Sequence, residues 1–150
     1  MTSLTLVRRI AAPPEIVFDA ISTEEGIAAW WGPDGGPVLL AEMDPRVGGR
    51  FRARFRMLDG SEHECQGEIL EMNRPLHLAL SWQWVGGREA EGESRIDIAL
   101  QELSDHATEL IFTHAQLPSD EVVKSHVQGW NGSLDKLERH LLSTKDTSHD

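Results

Sequence analysis

The 150-residue chain has no tyrosine and one cysteine, and its 14 Lys and Arg residues are outnumbered by 25 Asp and Glu. A lone cysteine, Cys65, excludes an intramolecular disulfide and suits a reducing compartment. The formal net charge of -11 would repel a phosphate backbone unless a local basic patch overcame it, so nucleic acid is not expected as a partner. No apolar run reaches the length of a membrane span, and residues 1–20 lack a charged segment leading into an apolar one. These absences read together as a soluble, cytoplasmic protein without a membrane partner. Also missing are a Gly-x-Ser-x-Gly elbow, a P-loop and a dinucleotide glycine fingerprint. An enzyme built on an ordinary nucleophile is therefore disfavoured, and no catalytic residue is assigned.

What is present is a long apolar stripe near the end of the chain. Val123, Val127, Trp130, Leu134, Leu137 and Leu141 recur in alternating steps of four and three, the spacing of one helix face. Ser119 is placed to cap that helix, and Asp120 and Glu121 complement its dipole. Upstream, Thr5 to Ile10 reads as a strand with Leu4, Leu6 and Arg8 on one face. Pro13-Pro14 then opens a short helix, Thr23 caps a second, and Gly32-Pro33 ends it. From about residue 37 to 116 the chain reads almost wholly as antiparallel strands, with a charged loop at Gly86–Gly92. Residues 1–143 are expected to form one domain and residues 144–150 a polar, frayed tail.

The register of one hairpin can be argued. Phe51, Ala53, Phe55 and Met57 alternate with Arg50, Arg52, Arg54 and Arg56, and the next strand alternates Glu62, Glu64, Gln66 and Glu68 with His63, Cys65, Gly67 and Ile69. A two-residue Asp59-Gly60 turn would place Met57 opposite Glu62 and mix the faces. A three-residue Leu58-Asp59-Gly60 loop, with Gly60 left-handed in a bulge, sets Arg56 opposite Glu62, Arg54 opposite Glu64 and Arg50 opposite Glu68. That register is predicted. Each exposed pair contributes only about 0.2–1 kcal/mol, so the ladder sets register more than stability.

Strand, two short helices, six strands and a long helix describe a curved sheet wrapped around a helix. Six local motifs fall in order along it: Trp30-Trp31-Gly32-Pro33, Val47-Gly48-Gly49-Arg50-Phe51, Gly67-Glu68-Ile69, Leu80-Ser81-Trp82, Thr108-Glu109-Leu110 with His114, and Gly129-Trp130 with Leu134-Asp135-Lys136-Leu137. Over residues 4–142 the chain resembles the branch of the START-like (Bet v 1-like) helix-grip superfamily named after the activator of the Hsp90 ATPase. The resemblance implies an α+β helix-grip fold: an antiparallel sheet of about seven strands around a C-terminal helix, with two short helices between strands 1 and 2. It implies a cavity rather than a reaction, because the superfamily includes lipid carriers, hormone receptors and polyketide cyclases. Hsp90 activation is not carried over, since the family's co-chaperone contains this domain as only one part.

The expected cavity lies between the last helix and the sheet, and apolar ligand sites favour aromatic walls with a few polar groups. Phe51, Phe55, His63, Trp82, His114, His126, Gly129 and Trp130 are the candidate lining residues. One of Trp30 and Trp31 is expected at the cavity mouth, since neighbours on a helix end cannot point the same way. Gly129 and Gly132, each costing about 1 kcal/mol in a helix interior relative to Ala, suggest close approach of a ligand or a strand. His63 and Cys65 share a face, but no further ligands stand at metal-site spacing, and neither a metal nor a cofactor is expected. The leading expectation is a binding protein, monomeric or homodimeric, for a hydrophobic or amphipathic small molecule. Two alternatives belong to other classes. One is a cyclase- or hydratase-type enzyme in which His114 or His63 moves protons. The other is a chaperone-associated interaction module that uses the acidic surface and an exposed edge of Trp30-Trp31.

Overall fold

A computed structural model describes residues 2–86 and 92–148, the side chains of the last six excepted. The elements in chain order are β1 (Thr2–Ile10), α1 (Pro14–Ser22), α2 (Glu24–Trp30), β2 (Val38–Met43), β3 (Arg50–Arg56), β4 (Glu62–Asn73), β5 (His77–Val85), β6 (Ser94–Ser104), β7 (Ala107–Leu117) and α3 (Asp120–Ser148). The seven strands form one sheet in the order β1-β7-β6-β5-β4-β3-β2, antiparallel throughout. The expected charged loop at Gly86–Gly92 lies mostly outside the described residues, as does the end of the expected tail, residues 149–150.

Local chemistry accounts for the element ends. Pro14 occupies the first turn of α1, where its missing N–H costs nothing. The Thr23 hydroxyl accepts from the Gly26 N–H at 3.1 Å, and the Ser119 hydroxyl accepts from the Val122 N–H at 3.2 Å, capping α2 and α3. The β3–β4 hairpin closes with the Met57 N–H on the Ser61 carbonyl and the Gly60 N–H on the Met57 carbonyl, with Gly60 at φ +92. That is the three-residue loop with a left-handed glycine, and it pairs Arg50, Arg54 and Arg56 with Glu68, Glu64 and Glu62. Ion pairs at 3.2 Å (Arg56–Glu62) and 3.1 Å (Arg52–Glu42) run along the exposed face.

The other face of the sheet carries the core. Phe51, Ala53, Cys65, Ile69, Leu78, Leu80, Ile96, Ile98, Leu110 and Phe112 are buried there, and α3 adds Trp130, Leu134, Leu137 and Leu141. Arg8 lies on the inward face of β1, where α3 supplies its partners: Asp135, Glu138 and the side-chain oxygen of Asn131. This fixes the second half of α3 across β1. The first half is left to span the sheet beside β5, β4 and β3.

Candidate functional site: a cavity under the first half of the last helix

The space under that first half is a partly open cavity of about 370 Å³. Ser125, His126, Gln128, Gly129, Trp130 and Ser133 of α3 form one wall. Phe55 and Met57 from the β3 end, His63 from β4, and Trp82 and Trp84 from β5 form the opposite wall. Trp31, Gly32, Pro33 and Asp34, the first residues of the connection from α2 to β2, close one side.

That connection is a strap fastened to α3. The Ser133 hydroxyl donates to the Gly32 carbonyl at 2.9 Å, and the Lys136 ammonium donates to the Trp31 and Asp34 carbonyls, both at 2.8 Å. Half-burial holds the Lys136 amine below the usual lysine range, while Asp34 acts in the opposite direction. Asp34 ties the strap to the β3–β4 hairpin by accepting the Leu58 N–H at 3.0 Å, and its other oxygen accepts the Gly36 N–H at 2.9 Å. The close approach suggested by Gly129 and Gly132 is made by this strap, not by a strand. A Cβ on Gly132 would lie 1.9 Å from the Pro33 carbonyl oxygen, whereas one on Gly129 would meet only the Pro33 side chain, at 3.6 Å.

The two tryptophans at the end of α2 part company. Trp31 faces the cavity. Trp30 turns into the core, 1% exposed, with its indole N–H on the Ala20 carbonyl at 3.0 Å. Neither offers an exposed edge: Trp31 is only 3% exposed, and this corrects the surface expected for an interaction module. The reason is the T-shaped packing of Trp31 on Trp30, Phe51 and Trp130.

Of the candidate lining residues, Phe55, His63, Trp82, His126, Gly129 and Trp130 border the cavity, and Phe51 and His114 do not. Phe51 sits behind Trp31 and Trp82, with ring centroids 5.6 and 6.4 Å away. His114 is fully buried behind Trp82 and His126. Met57, Trp84, Ser125, Gln128 and Ser133 complete the walls beside them. Their signal was present for Trp84 and Met57, which continue the inward alternation of Trp82 and Phe55 by one more step, and for Ser133, which shares a helix line with His126 and Gly129.

The surroundings of His114 decide what it can do. The Trp130 indole N–H donates to its Nδ1 at 3.1 Å, so Nδ1 carries no proton and Nε2 carries the single one. Nε2 therefore donates to the Ser94 hydroxyl, 2.6 Å away. In a serine-nucleophile pair the imidazole must instead accept the hydroxyl proton, so Trp130 fixes the tautomer opposite to the one nucleophilic activation needs. Burial, with a smaller contribution from His126, pushes the imidazole down to about 3 and keeps it neutral. His114 thus organises the core between β6, β7 and α3.

His63 keeps a different position, half-buried on the cavity wall, with Nε2 3.2 Å from the Ser61 hydroxyl and its ring between Phe55 and Trp84. Cys65, two residues on, is buried with its thiol on the Ala53 carbonyl at 3.7 Å, and burial raises its pKa well above the ordinary value. A thiolate–imidazole couple is not formed. Among the described residues, a grouping with metal-ligand spacing occurs at Glu71, His77 and Asp97, on the sheet face away from α3. Arg95 already bonds Glu71 at 2.6 Å and Asp97 at 2.8 Å there, and it holds the Asp97 carboxyl below the usual range.

Sequence comparison matches residues 11–142 to the model of the Activator of Hsp90 ATPase homolog 1-like proteins. The chain belongs to this family. Its fold agrees with solved relatives. An AHSA1 protein from Silicibacter pomeroyi superposes with a TM-score of 0.85 at 26% identity, over 95% of this chain and 99% of that one. A protein from Chromobacterium violaceum gives 0.80 at 26% identity, over 93% and 96%. CalU16 from Micromonospora echinospora gives 0.68 at 27% identity, over 93% of this chain and 75% of its own. No protein of curated function matches the sequence significantly. The family supports a ligand-binding fold of the helix-grip type, and no described helix is long and apolar enough to cross a membrane.

Proposed function

We propose that the protein binds an apolar or amphipathic small molecule in the cavity between α3 and the sheet. The observation that carries this reading is the cavity itself: about 370 Å³, walled by four tryptophans, a phenylalanine and a methionine, with a few polar groups among them. Its size falls in the range that encloses a small organic ligand. Hydrophobic walls would supply affinity, and His63, Gln128 and Ser125 would orient a polar end.

Native mass spectrometry of protein isolated from its own cells, followed by denaturing analysis of released molecules, tests the reading. A stoichiometric small molecule is the expected result and would name the ligand. Protein that arrives empty and then fails to take up apolar probes in titration would overturn it. The cyclase-type alternative loses its strongest candidate acid–base group, because both ring nitrogens of His114 are engaged within the core.

A further inference from the structure

Resting on the cavity reading above, we infer that the cavity is built for an uncharged ligand that brings hydrogen-bond acceptors, and that it rejects anionic amphiphiles. The first support is charge. Among the described residues that line the cavity, none is Lys or Arg. The Lys136 ammonium lies outside the lining, with two of its three donors on the Trp31 and Asp34 carbonyls. The one ionisable acid in the wall, Asp34, brings negative charge to the side closed by the strap, and the whole chain carries -11. A carboxylate or phosphate entering here would leave water with no permanent counter-charge in the wall, only the imidazoles of His63 and His126, and an ion buried without a partner is strongly disfavoured.

The second support is the supply of donors. The indole N–H groups of Trp31 and Trp82 have no acceptor among the described residues, although their side chains are 3% and 4% exposed. Buried donors in native proteins are nearly always bonded, so two unbonded ones on side chains that wall one cavity call for a partner. The rings are neighbours, with centroids 5.3 Å apart. A carbonyl or ether oxygen on a flat apolar ligand fits that need, since it accepts without bringing charge. Trp31 and Trp82 would then act as specificity-determining residues through their N–H groups as well as through their rings.

Three probes of nearly equal shape separate the terms: 2-isopropylnaphthalene, 2-acetylnaphthalene and 2-naphthoate, titrated into the full chain by calorimetry at pH 7.5. The expected order is acetyl tightest, isopropyl next, and naphthoate weaker than acetyl by about tenfold or more. In Trp82→Phe and Trp31→Phe, which keep a ring and lose the N–H, the preference for acetyl over isopropyl should shrink to within about twofold. Near-UV circular dichroism checks that each variant is folded, and the charge comparison needs only the wild type. Naphthoate binding as tightly as acetylnaphthalene would overturn the inference while leaving the cavity reading standing. So would an acetyl preference that survives in both folded variants. Failure of all three probes to bind would remove the cavity reading and this inference together.

Discussion

The two halves of α3 cross the same sheet and meet it differently. The second half presents Leu134, Leu137 and Leu141, all but fully buried, and is clamped to β1 through Arg8. The first half presents His126, Gly129 and Ser133 beside Trp130, with Val123 and Val127 only half-buried, and leaves the cavity beneath it. The difference lies in side-chain volume and in which neighbour the helix leans on. Where leucines reach the sheet they exclude space. Where glycines let the strap lie against the helix, the helix stands off and the tryptophans of β5 wall the gap without filling it. A protein can thus place its stability at one end of a helix and its binding site at the other.

Truncating matched apolar side chains at each end of α3 should separate the two halves most strongly. Leu137→Ala should cost about 2–5 kcal/mol in chemical denaturation, because a fully buried leucine leaves a cavity that the clamped half cannot close. Met57→Ala, on a cavity wall already missing partner atoms on one side, should cost about half as much or less. Equal losses at the two sites would mean that the halves are not different in packing.

His114 stands at the border between the halves, and its titration reads how dry that border is. Its folded pKa, about 3, lies below the ordinary 6.5, so the unfolded chain binds the proton first as pH falls. The stability tied to neutral His114 is therefore fully present above about 6.5 and is lost progressively as pH drops toward about 3. Comparing wild type with His114→Phe across pH 3.5–7 should give a wild-type curve steeper by at most about 1.4 kcal/mol per pH unit. Parallel curves would show that water reaches the imidazole from the cavity side.

Much of this frame was legible in the residues and some of it could not be. The Arg/Glu ladder and the Gly60 turn fixed the β3–β4 register because only one loop length keeps the apolar residues on one face. The leucine and valine spacing located α3 for the same reason, since a period is a local property. The cavity was less legible because alternation assigns a face but not a position along the groove. Phe51, Phe55, His63, Trp82 and His114 all point inward, yet the path of α3 decides which are covered by helix and which border space. Beyond Trp31 the strap was invisible as a wall, since the place of Gly32, Pro33 and Asp34 depends on backbone carbonyls meeting Ser133 and Lys136 more than 100 residues away.

Two glycines on α3 give the finest test, because the same substitution should change sign over three residues. At Gly132 a Cβ would collide with the Pro33 backbone, so Gly132→Ala must push the strap off the helix. The overpacking cost, offset by about 1 kcal/mol of helix propensity, should leave a net loss of about 1–2 kcal/mol. At Gly129 the added methyl makes an ordinary 3.6 Å contact with the Pro33 side chain, and the propensity gain survives. Gly129→Ala should therefore raise stability by up to about 1 kcal/mol in thermal or denaturant unfolding. Yet Gly129 lines the cavity, so the same methyl narrows it, and the affinity for an apolar probe such as 2-isopropylnaphthalene should fall as stability rises. Opposite movement of stability and affinity at one atom is what a site maintained at the expense of packing requires. If both rise together, the first half of α3 is shaped by its contact with the strap and the space beneath it is incidental.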